Sequence, residues 1–158
     1  MDNYLLLKLL HILSAVVITG TGAGIAFFMF MVARSDNVAA IAVTARHVVL
    51  ADWLFTAPAV AMQFVTGVLL MNLLGYSFTS TWFLWVITLF LLIGFCWIPV
   101  VIIQYKLRAL ADESLSSGVL NNQFITLMKI WTALGIPAFI SILLPIPSLL
   151  LVTPSNFN

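Results

Sequence analysis

Charged residues are scarce in this chain, and two long stretches have none. Only 7% of its 158 residues are charged and 63% are hydrophobic, whereas about 25% are charged in soluble domains. The segment from Trp53 to Tyr105 and the segment from Ile130 to the end contain no Asp, Glu, Lys, Arg or His. This pattern excludes a soluble domain and predicts a polytopic membrane protein, because about 20 apolar residues span a hydrocarbon core of roughly 30 Å.

Cysteine is also scarce, and basic residues are not in excess. The single Cys96 excludes an intramolecular disulfide and a cysteine-based metal cluster. It lies in an apolar run and is interpreted as a small hydrophobic residue. A net charge of +1 gives no indication of a nucleic acid partner. No cleavable signal is expected, since the first apolar run is longer than a signal h-region of about 7–15 residues.

The polar breaks predict four transmembrane helices in a single membrane domain covering residues 1–158. The predicted spans are residues 4–33, 47–74, 82–105 and 124–152. Helices are expected because backbone polar groups in lipid must be satisfied within the segment that carries them. The predicted fold is therefore an all-α, four-helix bundle that contacts the lipid bilayer as its partner.

Lysine and arginine residues predict the orientation of the bundle. The loop after the first span and the loop after the third span hold most of the basic residues, which are Arg34, Arg46, Lys106 and Arg108, with Lys129 close by. The opposite side has Lys8. The positive-inside rule then places these two loops in the cytoplasm and both termini outside.

His11, in the first span, has two interpretations. It shares a helical face with small or apolar residues, namely Ala15, Ile18 and Gly22. An imidazole there is a candidate axial ligand for a haem iron, or it forms a hydrogen bond to a neighbouring helix or contacts the outer water. His47 lies at the opposite side of the membrane and does not complete a bis-histidine site. A second axial ligand is expected from the second span, at Gln63 or Met71.

Asp52 is an intramembrane carboxylate, about two turns into the second span. Such a residue is a functional hypothesis with a partner to be named, and we expect Lys129, at a similar depth in the fourth span, to be that partner. One interpretation is a structural ion pair that fixes the register of the bundle. The other is a proton relay from Asp52 along a polar stripe that contains Thr56 and Gln63.

Three further patterns concern helix packing. Gly20 and Gly24 form a G-x-x-x-G pair, which allows close approach of another helix and predicts a possible homo-oligomer through this face. Each span after the first contains proline, which predicts bends that could shape a cavity. Trp97 and Gln104 share one face of the third span with Val101, which is interpreted as a packing face.

The first two spans carry a resemblance to a known family. The segment from Tyr4 to Ile12, with His11, resembles the first helix of HemJ-type protoporphyrinogen oxidases, and Ala57-Pro58-Ala59 is similar to part of their second helix. This resemblance implies haem b bound through His11. That family's third helix carries a lysine beside the tetrapyrrole, whereas residues 81–105 here contain none, so oxidation of protoporphyrinogen is not implied.

Nearly the whole chain resembles a family of bacterial four-helix inner-membrane proteins. The resemblance rests on motifs in every span, which are Lys8 to His11, Asp52 to Thr56, Thr66-Gly67, Cys96 to Pro99 with Gln104, and Trp131 to Gly135. It implies a membrane bundle without naming an activity.

Two classes of function follow as expectations. The first is a bundle that binds haem b through His11 and acts in electron transfer or tetrapyrrole-linked redox chemistry, with a quinone or a respiratory membrane complex as partner. The second is a non-catalytic accessory or assembly subunit of a membrane complex, whose polar groups fix helix packing. No catalytic residue is assigned.

Overall fold

The computed structural model describes residues 3–143 of the chain, which are helical with short connections and contain no β-strand. The elements are α1 (Asn3–Val32), α2 (Val38–Ala51), a π-helical turn (Asp52–Thr56), α3 (Ala57–Leu73), α4 (Thr81–Glu113) and α5 (Asn122–Leu143). The predicted all-α fold class is confirmed.

Three helical stretches are long and apolar enough to cross a membrane. They are Asn3–Val32, Val38–Leu74 and Thr81–Glu113, which match the first three predicted spans. The second of them consists of α2, the π-helical turn and α3 in direct succession. The predicted fourth span begins within α5, and its remainder, up to residue 152, lies outside the described residues.

Two helices are longer than predicted. The second begins at Val38 instead of residue 47, since the Asn37 side chain accepts a hydrogen bond from the Ala40 backbone N–H at 3.0 Å and caps its first turn. The third continues through the expected loop to Glu113. At 1.5 Å per residue, its 33 residues extend about 50 Å, well beyond a hydrocarbon core of roughly 30 Å. The polar residues near the C-terminal end of α4 therefore belong to a part of the helix that extends beyond the hydrocarbon core.

The packed core lies at one end of the bundle, the end with the α1–α2 and α4–α5 loops, which we call the loop-one end. Its buried side chains come from all four spans: Ile25, Met29, Ile41, Ala42, Ala45, Val48, Val100, Ile103, Leu107, Ala111, Phe124, Met128 and Trp131. An ion pair between Arg46 and Asp112 at 2.9 Å joins α2 to α4 at the same end. Apolar burial therefore closes the bundle there.

The helices change partners along the bundle. α2 packs against α4, and α4 packs against α5, whereas α3 packs mainly against α1. The change follows the π-helical turn, whose widened backbone is closed by a bond from the Ala57 N–H to the Asp52 carbonyl oxygen. Pro58 follows directly; it has no N–H, and its ring crowds the carbonyl group four residues earlier. A widened turn accommodates this residue, and beyond it the second span keeps its contact with α1 while it loses most of its contact with α4.

The outer surface of the bundle is apolar, as a lipid-facing surface must be. Large hydrophobic side chains are exposed on each span, including Phe28 at 65%, Phe95 at 77% and Ile136 at 56%. A surface of this kind and extent in water would mark an interaction site. On helices of this length it indicates contact with acyl chains.

Candidate functional site

A closed hydrogen-bond network surrounds His11 between α1 and α3. His11 Nδ1 lies 2.9 Å from Thr66 Oγ1, and His11 Nε2 lies 2.9 Å from Gln63 Nε2. Ser14, one turn further along α1, donates to the Gln63 side-chain oxygen or to the His11 carbonyl oxygen. The network therefore joins two side chains of α1 to two of α3. It lies towards the N-terminal end of α1, away from the loop-one end.

The directions of these bonds assign the tautomer of His11. The Thr66 hydroxyl donates its single proton to the Met62 carbonyl oxygen at 2.6 Å, so it accepts the bond from His11 Nδ1–H. The Gln63 amide nitrogen is a donor, so His11 Nε2 must accept with its lone pair. With this orientation of the Gln63 amide, His11 is a neutral imidazole with its proton on Nδ1 and its lone pair directed at Gln63, whereas the reverse amide orientation would give the Nε2–H tautomer.

Gly67 allows this close contact between the imidazole and α3. A Cβ atom at Gly67 would lie 3.4 Å from His11 Cε1, the limit of ordinary van der Waals contact. A side chain larger than alanine would therefore displace the ring. The Thr66-Gly67 pair thus supplies both an acceptor for the ring and space for it.

The chemistry of this network partly fits a haem iron. A histidine ligand binds iron through one ring nitrogen and donates its other N–H to an oriented acceptor, and the His11–Thr66 bond supplies that second contact. The Nε2 lone pair, however, is capped by the Gln63 amide at 2.9 Å. Iron could reach Nε2 only after the Gln63 side chain turned away. Haem binding at His11 stays a prediction.

A second polar cluster lines a cavity of about 370 Å³ inside the bundle. All four spans contribute to its wall, and most of the lining is apolar. Its polar residues come from the π-helical turn, α4 and α5, and are Asp52, Thr56, Trp97, Gln104, Trp131 and Thr132. The cavity lies beside the packed core and shares Ile25, Val100 and Trp131 with it.

Unpartnered polar atoms are concentrated in this cavity. Among the side chains that the structure describes, the buried polar atoms without a hydrogen-bond partner are Asp52 Oδ2, Thr56 Oγ1, Trp97 Nε1, Gln104 Oε1 and Trp131 Nε1. All of these residues line the cavity. Buried polar atoms are normally paired with protein or ordered water, and each exception requires an explanation. A ligand or ordered water in the cavity would provide one.

Asp52 carries the carboxyl group of this cluster, and it is 5% exposed. The side chains of Thr56, Gln104 and Trp97 lie next to its carboxyl group. Its Oδ2 atom nevertheless has no hydrogen-bond partner among the described residues. Gln104 is 4% exposed. Two deeply buried acceptors therefore face the same space.

The expected ion pair between Asp52 and Lys129 is not formed in the structure. Lys129 is exposed, and the ion pairs found in residues 3–143 do not involve Asp52. The reason is the phase of α5, in which Met128 and Trp131 are buried. Side chains on a helix point in directions set by its 3.6-residue period, so these two residues turn Lys129 outward.

The residues of the predicted polar stripe in the second span lie at two separate sites. Thr56 lines the cavity with Asp52, whereas Gln63 contacts His11. The residues between them on this face include Ala59, which is buried, and Val60, which lines the cavity. The stripe is therefore interrupted by apolar side chains, and a proton relay from Asp52 to Gln63 stays a prediction.

Sequence reasoning missed the tryptophans and the glutamine of the cavity. Trp97 and Gln104 were expected in a packing face, yet both line the cavity. The available signal was an uncharged amide on the same helical face as an indole, within a run that lacks charge. For Trp131 the sequence carries no comparable signal, since only tertiary packing orients α5.

Three further predictions concern Cys96, metal binding and the Gly20/Gly24 face. Cys96 is a free, buried cysteine, as interpreted. Within residues 3–143 no group of three or more His, Cys, Asp and Glu side chains could hold a metal ion. Nothing lies within 4 Å of a Cβ atom placed on Gly20 or Gly24, and self-association through this face stays a prediction.

Comparison with known proteins identifies a family. The model of the family described as "Predicted integral membrane protein (DUF2269)" matches residues 5–151. No curated protein and no solved structure matches the chain.

The His11 network gives a prediction about helix packing. Thr66→Val removes the acceptor of the Nδ1–H while keeping the side-chain shape, and we expect it to destabilise the protein by about 0.6–2 kcal/mol, the size of interhelical hydrogen bonds in bilayers. Thr88→Val is the control, because the exposed Thr88 hydroxyl bonds only to the Leu84 carbonyl of its own helix. Thermal unfolding in detergent measures both. ¹⁵N NMR of the imidazole should show the Nδ1–H tautomer in the wild type, and an Nε2–H tautomer would contradict the assignment.

Proposed function

We propose that this chain, which belongs to the DUF2269 family of predicted integral membrane proteins, binds a small amphipathic molecule inside its helix bundle. The observation that carries the proposal is that all five buried, unpartnered polar atoms among the described side chains belong to residues lining one cavity. Ligand sites combine mostly apolar walls with a few convergent polar groups, in clefts of about 300–1,000 Å³. This cavity has that composition and a volume of about 370 Å³.

The wall of the cavity supports a ligand that comes from the bilayer. Phe27 of α1 and Ile136 and Ile140 of α5 line the cavity and are each more than half exposed on the lipid-facing surface. The cavity therefore reaches the side of the bundle between these two helices. A molecule dissolved among acyl chains can approach there without crossing the aqueous phase.

A membrane quinone is the ligand class that we propose. Its headgroup is a planar ring with two oxygens, and its tail is a long hydrocarbon. The indole rings of Trp97 and Trp131 offer aromatic faces for the ring and N–H donors for its oxygens. The apolar remainder of the wall and the opening towards lipid suit the tail. The protein would then serve a quinone-linked electron-transfer process.

The alternative is a non-catalytic accessory or assembly subunit of a membrane complex. In that function the polar groups of the cavity would receive partners from ordered water or from another subunit. The two functions differ in one property, which is saturable binding of a small molecule by the isolated protein.

A second candidate function is haem b binding through His11, with a role in electron transfer. The contact that favours it is the one between His11 Nδ1 and Thr66 Oγ1, because a histidine that ligates a metal binds through one ring nitrogen and donates its other N–H to an oriented partner. Thr66 would hold the ring, and haem would supply one-electron redox chemistry. The resemblance of the first helix to HemJ-type proteins points in the same direction, while the Gln63 cap opposes it.

We further propose that the protein resides in a bacterial inner membrane with both termini outside. The basic residues support this orientation, since Arg34, Arg46, Lys106 and Arg108 all lie at the loop-one end. Under the positive-inside rule that end faces the cytoplasm.

The binding proposal predicts a specific effect of filling the cavity. Gly135 lines the cavity and has nothing within 4 Å of its Cβ position, so Gly135→Leu places a side chain in the ligand space without a backbone clash. We expect it to weaken binding of decylubiquinone at least about tenfold, the size of effect that unfavourable packing of about 1.4 kcal/mol gives. The measurement is competition of decylubiquinone against photolabelling by an azidoquinone in nanodiscs.

Gly20→Leu is the matched control, because Gly20 is equally open but does not line the cavity. It should leave the competition unchanged, and the labelled peptides of the wild type should include Trp97 or Trp131. Labelling spread over lipid-facing residues and insensitive to decylubiquinone would contradict the proposal and favour the accessory-subunit alternative.

The haem proposal predicts a coloured protein. Preparations from haem-replete cells in mild detergent should show a Soret band that is lost in His11→Ala and retained in His47→Ala. Gln63→Leu should retain or strengthen the band, since it removes the side chain that caps Nε2. A colourless, well-folded wild type would eliminate the haem proposal.

The proposed orientation predicts which loop is labelled from outside. In a Cys96→Ala background, Ser77→Cys of the α3–α4 loop and Ser116→Cys of the α4–α5 loop give an exposed pair of probes. An impermeant maleimide should label the first in intact spheroplasts and the second only after lysis. The reverse result would mean an inverted protein.

A further inference from the structure

The polar atoms of the cavity divide into donors and acceptors. Trp97 and Trp131 each present an unpartnered N–H, which can only donate. Asp52 Oδ2 and Gln104 Oε1 are unpartnered acceptors, and the Thr56 hydroxyl can act either way. A carboxyl group keeps an accepting oxygen in both of its protonation states. A ligand that satisfies the whole cluster must therefore both donate and accept.

The two redox forms of a quinone differ in this property. The carbonyl oxygens of the oxidised form only accept, so they suit the two indole N–H groups and supply no donor to Asp52 or Gln104. The hydroxyl groups of the reduced form each donate once and also accept. Only the reduced form supplies partners to both kinds of group, and a buried acceptor without a donor is costly.

We propose that the cavity selects the hydroquinone form of its ligand over the quinone form, through the acceptor oxygens of Asp52 and Gln104. This inference rests on the proposed function and adds the redox state of the ligand. Both acceptors are more than nine-tenths buried, at 5% and 4% exposed, so water competes poorly for them. The selection is a property of binding and needs no electron acceptor within the protein.

The expected size of the preference for the reduced form follows from the number of hydrogen bonds that each form can make. Because at least one buried acceptor is left unpaired by the oxidised form, we expect decylubiquinol to bind about tenfold more tightly than decylubiquinone. A tenfold preference for the reduced form raises the two-electron reduction potential of the bound couple by about 30 mV. The affinities are measured by competition against the azidoquinone photolabel in nanodiscs, under anaerobic conditions.

Two variants separate the acceptors from the donors. Gln104→Met removes the acceptor oxygen together with the amide N–H₂ and changes the shape little, so it should weaken decylubiquinol binding more than decylubiquinone binding and bring their ratio towards one. Trp131→Phe removes a donor that both forms use, so it should weaken both and keep the ratio. If Gln104→Met does not fold, Asp52→Asn, which exchanges one acceptor oxygen for an N–H₂ donor, gives the same readout.

The outcomes distinguish this inference from the proposal beneath it. Equal affinities in the wild type, tighter binding of decylubiquinone, or a ratio unaffected by Gln104→Met would overturn the redox selectivity while leaving quinone binding in place. Failure of both forms to compete with the photolabel would overturn quinone binding itself. A ratio near ten that falls in Gln104→Met and persists in Trp131→Phe supports the inference.

Discussion

The widened turn at Asp52–Thr56 is the local constraint on which the arrangement of the bundle depends. Pro58 cannot continue a regular helical ladder without crowding the preceding turn, and the π-helical bond to the Asp52 carbonyl absorbs that misfit. Such single-turn π segments occur often at functional sites. Beyond this turn α3 lies along α1, which creates the His11 contact. The cavity lies beside this turn, with Asp52 and Thr56 in its wall.

The two polar clusters differ in how completely they are satisfied. Both ring nitrogens of His11 have partners, and the Thr66 hydroxyl and the Gln63 amide are paired as well. The cavity atoms at Asp52 and Gln104 lack partners among residues 3–143. A fully satisfied network rigidifies a bundle, whereas a partly satisfied one is costly in a low-dielectric interior. The first arrangement is therefore typical of helix packing, and the second of a site that receives a ligand.

The sequence predicts the general architecture well because hydropathy acts locally. The absence of charge from Trp53 to Tyr105 identifies two spans without knowledge of their contacts, and Gln63 could be placed at the depth of His11 by helical rise alone. The partner of Asp52 could not be predicted in this way. Similar depth made Lys129 a plausible candidate, but the rotation of α5 about its axis depends on tertiary packing, and it directs Trp131 inward instead. A local sequence pattern gives the depth of a residue in the membrane. The direction in which its side chain points around the helix axis depends on how the helices pack together.

A cavity with unpaired polar atoms lowers the stability of a bundle, so the rest of the structure must offset that cost. It does so on either side of the cavity. At the loop-one end, Phe124 and Leu107 are each 1% exposed in a dense apolar core, and at the other end the His11 network ties α1 to α3. Natural proteins tend to depart from local rules at functional sites and to compensate elsewhere. The closed ends and the unsatisfied middle are consistent with that pattern, with the unpaired groups of Asp52 and Gln104 in the middle and the paired His11 network at one end.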